Sequence, residues 1–123
     1  MTLPSVVLGV AALVFVAVGV QGLFMPGRIV EPLGARIASP SFANEIRANY
    51  GGMRLAMAAL LGIGAWRTSM AMPALALLLG FTGGLCVGRA WSWLRDGAPN
   101  GFVRIFFALE AVGAIAAGAL LAR

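Results

Sequence analysis

The sequence predicts an all-α fold, an integral membrane four-helix bundle, and three observations carry this prediction. The chain of 123 residues is 61% hydrophobic and only 11% charged, which is far more apolar than soluble domains usually are. Its mean hydropathy is +0.96. Four apolar stretches of roughly 20 residues, the length that crosses a hydrocarbon core of about 30 Å, fill nearly the whole chain. We therefore expect a single transmembrane domain over residues 1–123.

The first predicted helix covers residues 4–24. Pro4 is tolerated in its first turn, and the Pro-Gly pair at Pro26 and Gly27 ends it. The segment lacks the basic leader and the small-residue cleavage site of a signal peptide, so we expect it to be retained. The stretch that follows is interrupted by prolines and glycines, which predicts an irregular surface loop between the first and second helices.

The other predicted helices cover residues 41–66, 70–94 and 102–121. Three residues near the start of the second helix are possible caps, namely Ser39, Ser41 and Asn44. The third helix ends with Trp91 and Trp93, which are typical of a membrane interface. Because the last two links are short, we expect an up-down-up-down bundle with both termini on one face of the membrane.

The arginines are distributed unevenly between the two faces of this bundle. The face opposite the termini has three in its loops and three close to helix ends: Arg28, Arg36, Arg95, Arg47, Arg89 and Arg104. Only Arg67 and Arg123 lie on the terminal face. Since positive charge marks cytoplasmic loops, this count predicts a multi-pass protein with both termini outside.

Two rows of small residues indicate close helix packing. The third helix has Gly80, Gly84 and Gly88, and the second has a similar row at Ala48, Gly52 and Ala56. Small residues at every fourth position let helix backbones approach each other in lipid. The sequence leaves open whether the partner is a helix of the same chain, a second copy or another subunit of a larger membrane complex. Gly51 and Gly52 together are also suited to close access to the backbone.

The polar residues within the helices fall in one half of the predicted bundle, the half opposite the termini. They form the candidate binding site, which consists of Glu45, Arg47, Asn49, Tyr50, Arg54, Arg89, Arg104 and Glu110. At helical spacing Arg47, Tyr50 and Arg54 share one face of the second helix, whereas Glu45 and Asn49 lie on another. A charged side chain deep in a bilayer is costly unless it faces a partner or a wet cavity, so we expect Arg54 to face inward.

Glu110 is the only acid deep in any predicted helix, and we expect it to pair with Arg54. This pair either fixes the register of two helices or belongs to a functional site. Four arginines and two glutamates share this half of the bundle, which leaves two positive charges in excess. Arg47 and Arg104 either extend to the headgroups or help to form an anion site.

With these residues in place, the chain resembles a family of small bacterial four-helix membrane proteins known as domain of unknown function 4345. The resemblance depends on the "FMPGRIVEPLG" loop, the Glu-x-Arg-x-x-Tyr-Gly-Gly core from Glu45 to Gly52, the Gly-Arg pair at Gly88 and Arg89, the "DGAPN" turn and Glu110. It implies a four-helix protein of the bacterial inner membrane and brings no established activity. The architecture is more distantly similar to that of DoxX-like proteins.

Three functions are compatible with the sequence. The first is binding of an anionic amphiphile, a lipid or a fatty acid, because the planar fork of arginine suits carboxylate and phosphate. The second is a structural or accessory role in a larger membrane complex. The third is a membrane enzyme in which Glu45 or Glu110 acts as the acid-base group and Tyr50 as a proton donor.

Composition excludes several other classes of function. The arginines are scattered over membrane segments, which argues against nucleic acid as a partner. The chain has no His, and its single cysteine, Cys86, lies in an apolar run. We therefore predict no catalytic residue of the redox, zinc or thiol type, no metal site and no cofactor.

Overall fold

The computed structural model describes residues 1–123 and contains only helices, turns and loops, which confirms the all-α class. Six α-helices follow in chain order: α1 Leu3–Phe24, α2 Pro26–Val30, α3 Pro40–Ile46, α4 Met53–Trp66, α5 Ala71–Asp96 and α6 Gly101–Leu121. Between α3 and α4 the chain stays helical but adopts π geometry over Arg47–Gly52. The run from Pro40 to Trp66 is therefore one continuous helix of mixed type.

Three helical segments are long and apolar enough to cross a membrane, namely Leu3–Phe24, Thr68–Asp96 and Gly101–Leu121. Their outward faces carry large exposed apolar side chains, such as Leu13, Val87 and Ile115. A surface this rich in exposed apolar groups is typical of a protein that lipid surrounds. The chain is thus a membrane-type helical protein.

Local sequence signals explain where the helices begin and end. Thr2 caps α1 through a reciprocal pair of hydrogen bonds with Ser5. The side chains of Ser39 and Asn100 accept from the backbone N–H groups of the first turns of α3 and α6. Gly97, at φ +93°, ends α5 in a conformation that a residue with a Cβ rarely adopts.

The segment between α1 and α3 is more ordered than the prolines and glycines predict. It contains α2 and a 3₁₀ turn at Glu31–Leu33, which Gly34 ends in a left-handed conformation. The side-chain amide of Asn100 donates a hydrogen bond to the carbonyl oxygen of Pro32 over 2.7 Å. This bond ties the segment to the start of α6.

The helices pack as antiparallel neighbours. Along α1, Gly19 lies against Leu55 and Gly22 lies against Tyr50, so α1 and the helical run Pro40–Trp66 are antiparallel. The helices α5 and α6 are also antiparallel, because Gly113 lies near Thr82 and Gly118 lies near Leu79. The complete up-down-up-down arrangement across a membrane stays a prediction.

The apolar core occupies the half of the molecule that contains the termini. Its fully buried side chains are Leu8, Leu61, Leu75 and Leu78, from α1, α4 and α5. On α5 the core face continues to Thr82, whose hydroxyl donates to the carbonyl oxygen of Leu78 over 2.6 Å. The polar side chains therefore lie in the opposite half, beyond this core.

The row of Gly80, Gly84 and Gly88 packs against no helix of the same chain. A Cβ added at any of the three would find no atom within 4 Å. The reason is helical phase: at about 100° per residue, Gly80 lies roughly 200° from both Leu78 and Thr82, on the side away from the core. The close approaches occur at glycines outside the predicted rows, for example Gly64 against Ala74.

Candidate functional site

An ion pair between α5 and α6 holds the deepest acid of the molecule. Arg89 donates from Nε to Oε1 of Glu110 over 2.5 Å and from Nη2 to Oε2 over 3.0 Å. Glu110 is 9% exposed, and no other salt bridge forms in the protein. The expectation that Glu110 pairs with Arg54 is therefore wrong. The short turn between α5 and α6 makes these helices neighbours and brings Arg89 to the level of Glu110.

Arg54 lies among aromatic rings, with no carboxylate partner. Its guanidinium carbon is 4.9 Å from the ring centroid of Phe81, 5.0 Å from that of Tyr50 and 5.9 Å from that of Phe15. Its one side-chain hydrogen bond runs from Nε to the carbonyl oxygen of Asn49 over 3.4 Å. The side chain is half-buried. Arg54 thus faces inward, as its depth predicts, and keeps hydrogen-bond donors free.

An apolar cleft opens between α1 and α6 and reaches Arg54. This cleft has a volume of about 300 Å³. Its walls carry one row of side chains from α1 and one from α6: Val6, Val10, Val14 and Val18 with Leu109, Val112 and Ala116. The polar groups that line it are Arg54, Thr82 and Glu110. The cleft therefore combines long apolar walls with two charged side chains in its lining.

A second cavity, of about 550 Å³, lies against the exposed glycines of α5, and we name it the glycine groove. Its lining includes Gly80, Gly84, Gly88, Tyr50, Phe81, Arg89, Ser92 and Trp93. Leu85 lines both cavities. Because Tyr50 and Phe81 also stack on the guanidinium of Arg54, that side chain lies between the groove and the cleft.

The remaining candidate residues line neither cavity. Arg47 donates to the carbonyl oxygen of Leu23, at the C-terminal end of α1. Asn49 donates from Nδ2 to the carbonyl oxygen of Glu45 over 2.9 Å and to Oε2 of the same residue over 3.3 Å. Arg104 donates from Nε to the carbonyl oxygen of Pro99 over 2.9 Å. Arg47, Asn49 and Arg104 thus donate hydrogen bonds to backbone carbonyl oxygens.

The structure thus brings together four of the eight candidate residues, Tyr50, Arg54, Arg89 and Glu110. It adds Phe15 and Phe81, which polarity alone does not reveal, because a phenylalanine in an apolar helix looks like any other core residue. The row of valines at every fourth position of α1 was a usable signal. Such spacing places Val6, Val10 and Val14 on one face, and they line the cleft.

The charge of the site follows from these contacts. Arg89 and Glu110 neutralise each other, whereas the positive charge of Arg54 faces three π systems that offset only part of it. No group of three or more His, Cys, Asp or Glu side chains lies in a position to hold a metal ion. The arrangement suits an anion that approaches Arg54 through the cleft.

The comparisons with known proteins give one result. A family model described as "Domain of unknown function (DUF4345)" matches residues 4–121. No curated protein and no solved structure matches the chain.

Proposed function

The chain belongs to the DUF4345 family, and because the description of that family assigns no activity, we propose from the site itself that the protein binds an anionic amphiphile in the apolar cleft. The observation that carries this proposal is Arg54, a half-buried cation in the lining of a cavity whose other walls are mostly apolar. Its guanidinium contacts no carboxylate.

The chemistry of Arg54 defines the kind of head group. A guanidinium presents N–H donors in a planar fork that matches the two oxygens of a carboxylate or phosphate. Only Nε of Arg54 has a protein acceptor, at 3.4 Å from the carbonyl oxygen of Asn49. An anionic head group in the cleft would accept hydrogen bonds from the remaining N–H groups and would supply the negative charge that balances Arg54.

The walls of the cleft define the rest of the ligand. Valines of α1 face Leu109 and Val112 of α6, and these side chains offer a hydrocarbon tail the same environment as lipid. The affinity therefore depends on the charged end and on the shape of the cleft. An amphiphile that already resides in the membrane reaches such a site without crossing water.

We also propose the setting in which this binding occurs. The three membrane-length helices support a multi-pass protein, and the family resemblance supports the bacterial inner membrane as its location. The excess of arginines at the end that carries the long loop supports cytoplasmic loops and external termini.

Native mass spectrometry of the protein released from membranes tests the proposed function. We expect the wild-type protein to carry a co-purified anionic amphiphile and Arg54→Gln to retain at least tenfold less of it, because a charge-assisted hydrogen bond is worth about 1.5–3 kcal/mol. Arg67→Gln is the matched control, since Arg67 is exposed and lines neither cavity. A wild-type protein without ligand, or equal loading of both variants, would contradict the proposal.

An accessory subunit is the second candidate, and one observation favours it. Gly80, Gly84 and Gly88 present an open row with nothing within 4 Å of an added Cβ. A helix from a second copy or from another subunit would fit against such a row. The same mass spectra report the copy number and any partner, and a monomer without partners would exclude this candidate.

A further inference from the structure

Building on the proposed function, we propose that the amphiphile is a single-chain monoanion, a medium-chain fatty acid. Its carboxylate binds Arg54 near the middle of the membrane, and its chain lies along α1 toward Val6. Three properties of the cleft support this ligand class: its depth, its size and its charge.

The depth of Arg54 separates a free fatty acid from a membrane phospholipid. The ring centroid of Phe15 lies 5.9 Å from the guanidinium carbon of Arg54, and Phe15 is the thirteenth of the 22 residues of α1, a helix of membrane-crossing length. At 1.5 Å per residue this level lies about 14 to 18 Å from either end of α1. The hydrocarbon core is about 30 Å thick, so phosphate groups of the bilayer lie about 15 Å or more from its middle. A phospholipid whose head group stays at the surface does not reach Arg54, whereas a fatty acid that enters the cleft whole does.

The size of the cleft fits one acyl chain. Its volume is about 300 Å³, and it runs between one row of side chains on α1 and one row on α6, so a single acyl chain can lie along it. Phe15 marks the level of Arg54 on α1, and Val6 lies nine residues before it, about 14 Å along the helix. At a C–C bond length of about 1.5 Å, an extended acyl chain of roughly ten carbons covers this distance.

The charge of the cleft matches a monoanion. Arg54 and Glu110 both line it, and Glu110 is already paired with Arg89. The three side chains together carry one net positive charge, which a carboxylate neutralises. A phosphate monoester would place up to two negative charges beside Glu110, where like charges repel each other. The site therefore favours carboxylate over phosphate.

A binding comparison in phosphatidylcholine nanodiscs tests the ligand class. The protein, freed of co-purified amphiphile and placed in these nanodiscs, is titrated with decanoate, decyl phosphate, decanol and dioleoyl phosphatidylglycerol, and occupancy is read by native mass spectrometry. We expect decanoate to bind at least tenfold more tightly than each of the other three probes. Arg54→Gln should reduce decanoate binding at least tenfold and bring it to the level of decanol.

A chain-length comparison tests the position of the tail and does not depend on Arg54. Val10 lines the cleft and is 58% exposed, whereas Val87 lines neither cavity and is 72% exposed. Val10→Trp should fill the outer cleft and abolish the preference for decanoate over hexanoate. Val87→Trp, the matched control, should keep the wild-type preference. The same chain-length preference in both variants would overturn the proposed tail position.

The outcomes separate this inference from the function on which it rests. Tighter binding of phosphatidylglycerol or decyl phosphate than of decanoate would overturn the fatty-acid class and would leave an anionic amphiphile as the ligand. Binding of none of the three anionic probes would overturn the proposed function as well.

Discussion

Two half-buried arginines in the polar half of the molecule have different partners, and this difference separates their roles. Arg89 shares two hydrogen bonds with the carboxylate of Glu110. Arg54 stacks against the rings of Phe81 and Tyr50, and each of these contacts is worth about 0.5–2 kcal/mol and supplies no counter-charge. We infer that Arg89 serves the structure of the α5–α6 pair and that Arg54 is the group available to a ligand.

The ion pair gives a prediction about stability. Glu110→Gln leaves the charge of Arg89 without its partner in a region that is mostly out of water, so the free energy of unfolding should fall by about 3 kcal/mol. The double variant Arg89→Leu, Glu110→Leu should recover most of this loss, because an apolar pair of similar size removes both charges together. Unfolding in mixed micelles, followed by circular dichroism, measures these differences.

Arg95→Leu is the control for the ion pair. Arg95 lies on the same helix and is exposed, and its guanidinium carbon is 5.7 Å from the ring centroid of Trp91. Its loss should change the free energy of unfolding by less than about 1 kcal/mol. A double variant as unstable as Glu110→Gln would show that the pair does more than balance its own charges.

The pairing of the charged residues could not be predicted from the sequence, for a physical reason. Depth along a helix places Arg54, Arg89 and Glu110 in the same half of the bundle, yet it carries no information on which helix faces which. The short turn before Asn100 was the better guide, because it makes α5 and α6 neighbours. The contact of Phe15 with Arg54 joins residues that are far apart in the chain, so no local sequence pattern predicts it.

At the scale of single elements, the π segment explains why three polar residues that were predicted to share one helix face do not share it. Regular α spacing predicts Arg47, Tyr50 and Arg54 on one face. The structure has π geometry over Arg47–Gly52, and only Tyr50 stays beside Arg54, with 5.0 Å from ring centroid to guanidinium carbon. Arg47 instead reaches the carbonyl of Leu23, where a cation complements the C-terminal end of α1. Such π turns are frequent at functional sites.

The adjacent glycines of the π segment provide a matched test of helix packing. A Cβ on Gly51 would lie 2.7 Å from the backbone of Leu23, whereas one on Gly52 would meet nothing within 4 Å. Gly51→Ala should therefore lower the free energy of unfolding by about 1–3 kcal/mol through overpacking. Gly52→Ala should be neutral or should raise it by up to about 1 kcal/mol, since alanine favours helix. Thermal unfolding in detergent compares the two, and equal effects would refute the close contact with α1.

The glycines of the chain show that regular spacing alone does not predict which of them pack against another helix. Gly80, Gly84 and Gly88 have the spacing of a packing row, but they face the glycine groove. Gly22 and Gly51 belong to no such row and form the closest contact between α1 and the π segment. Whether a glycine packs depends on the phase of its helix relative to the core, and that phase follows from the arrangement of all the helices.

At the scale of the whole molecule, apolar packing and polar contacts occupy opposite halves. Leu8, Leu61 and Leu75 form the apolar core of the half that contains the termini. The other half contains Arg54 and the ion pair, as the depth of the polar residues predicts. The gap between α1 and α6 was not predictable, because contact between the first and last helices depends on how every helix between them tilts. That gap forms the cleft in which we propose that the ligand binds.

The distribution of arginines predicts the orientation of the molecule in its membrane. Arg28, Arg36 and Arg95 lie at the end with the long loop, so the positive-inside rule places that end in the cytoplasm and the termini outside. In a Cys86→Ser background, single cysteines at two exposed positions, Thr2→Cys and Ala98→Cys, report the two faces. A membrane-impermeant maleimide should label Thr2→Cys in intact cells and Ala98→Cys only after permeabilisation, with Cys86→Ser alone unlabelled. The reverse pattern would mean that the arginines near the site are retained for a reason other than topology.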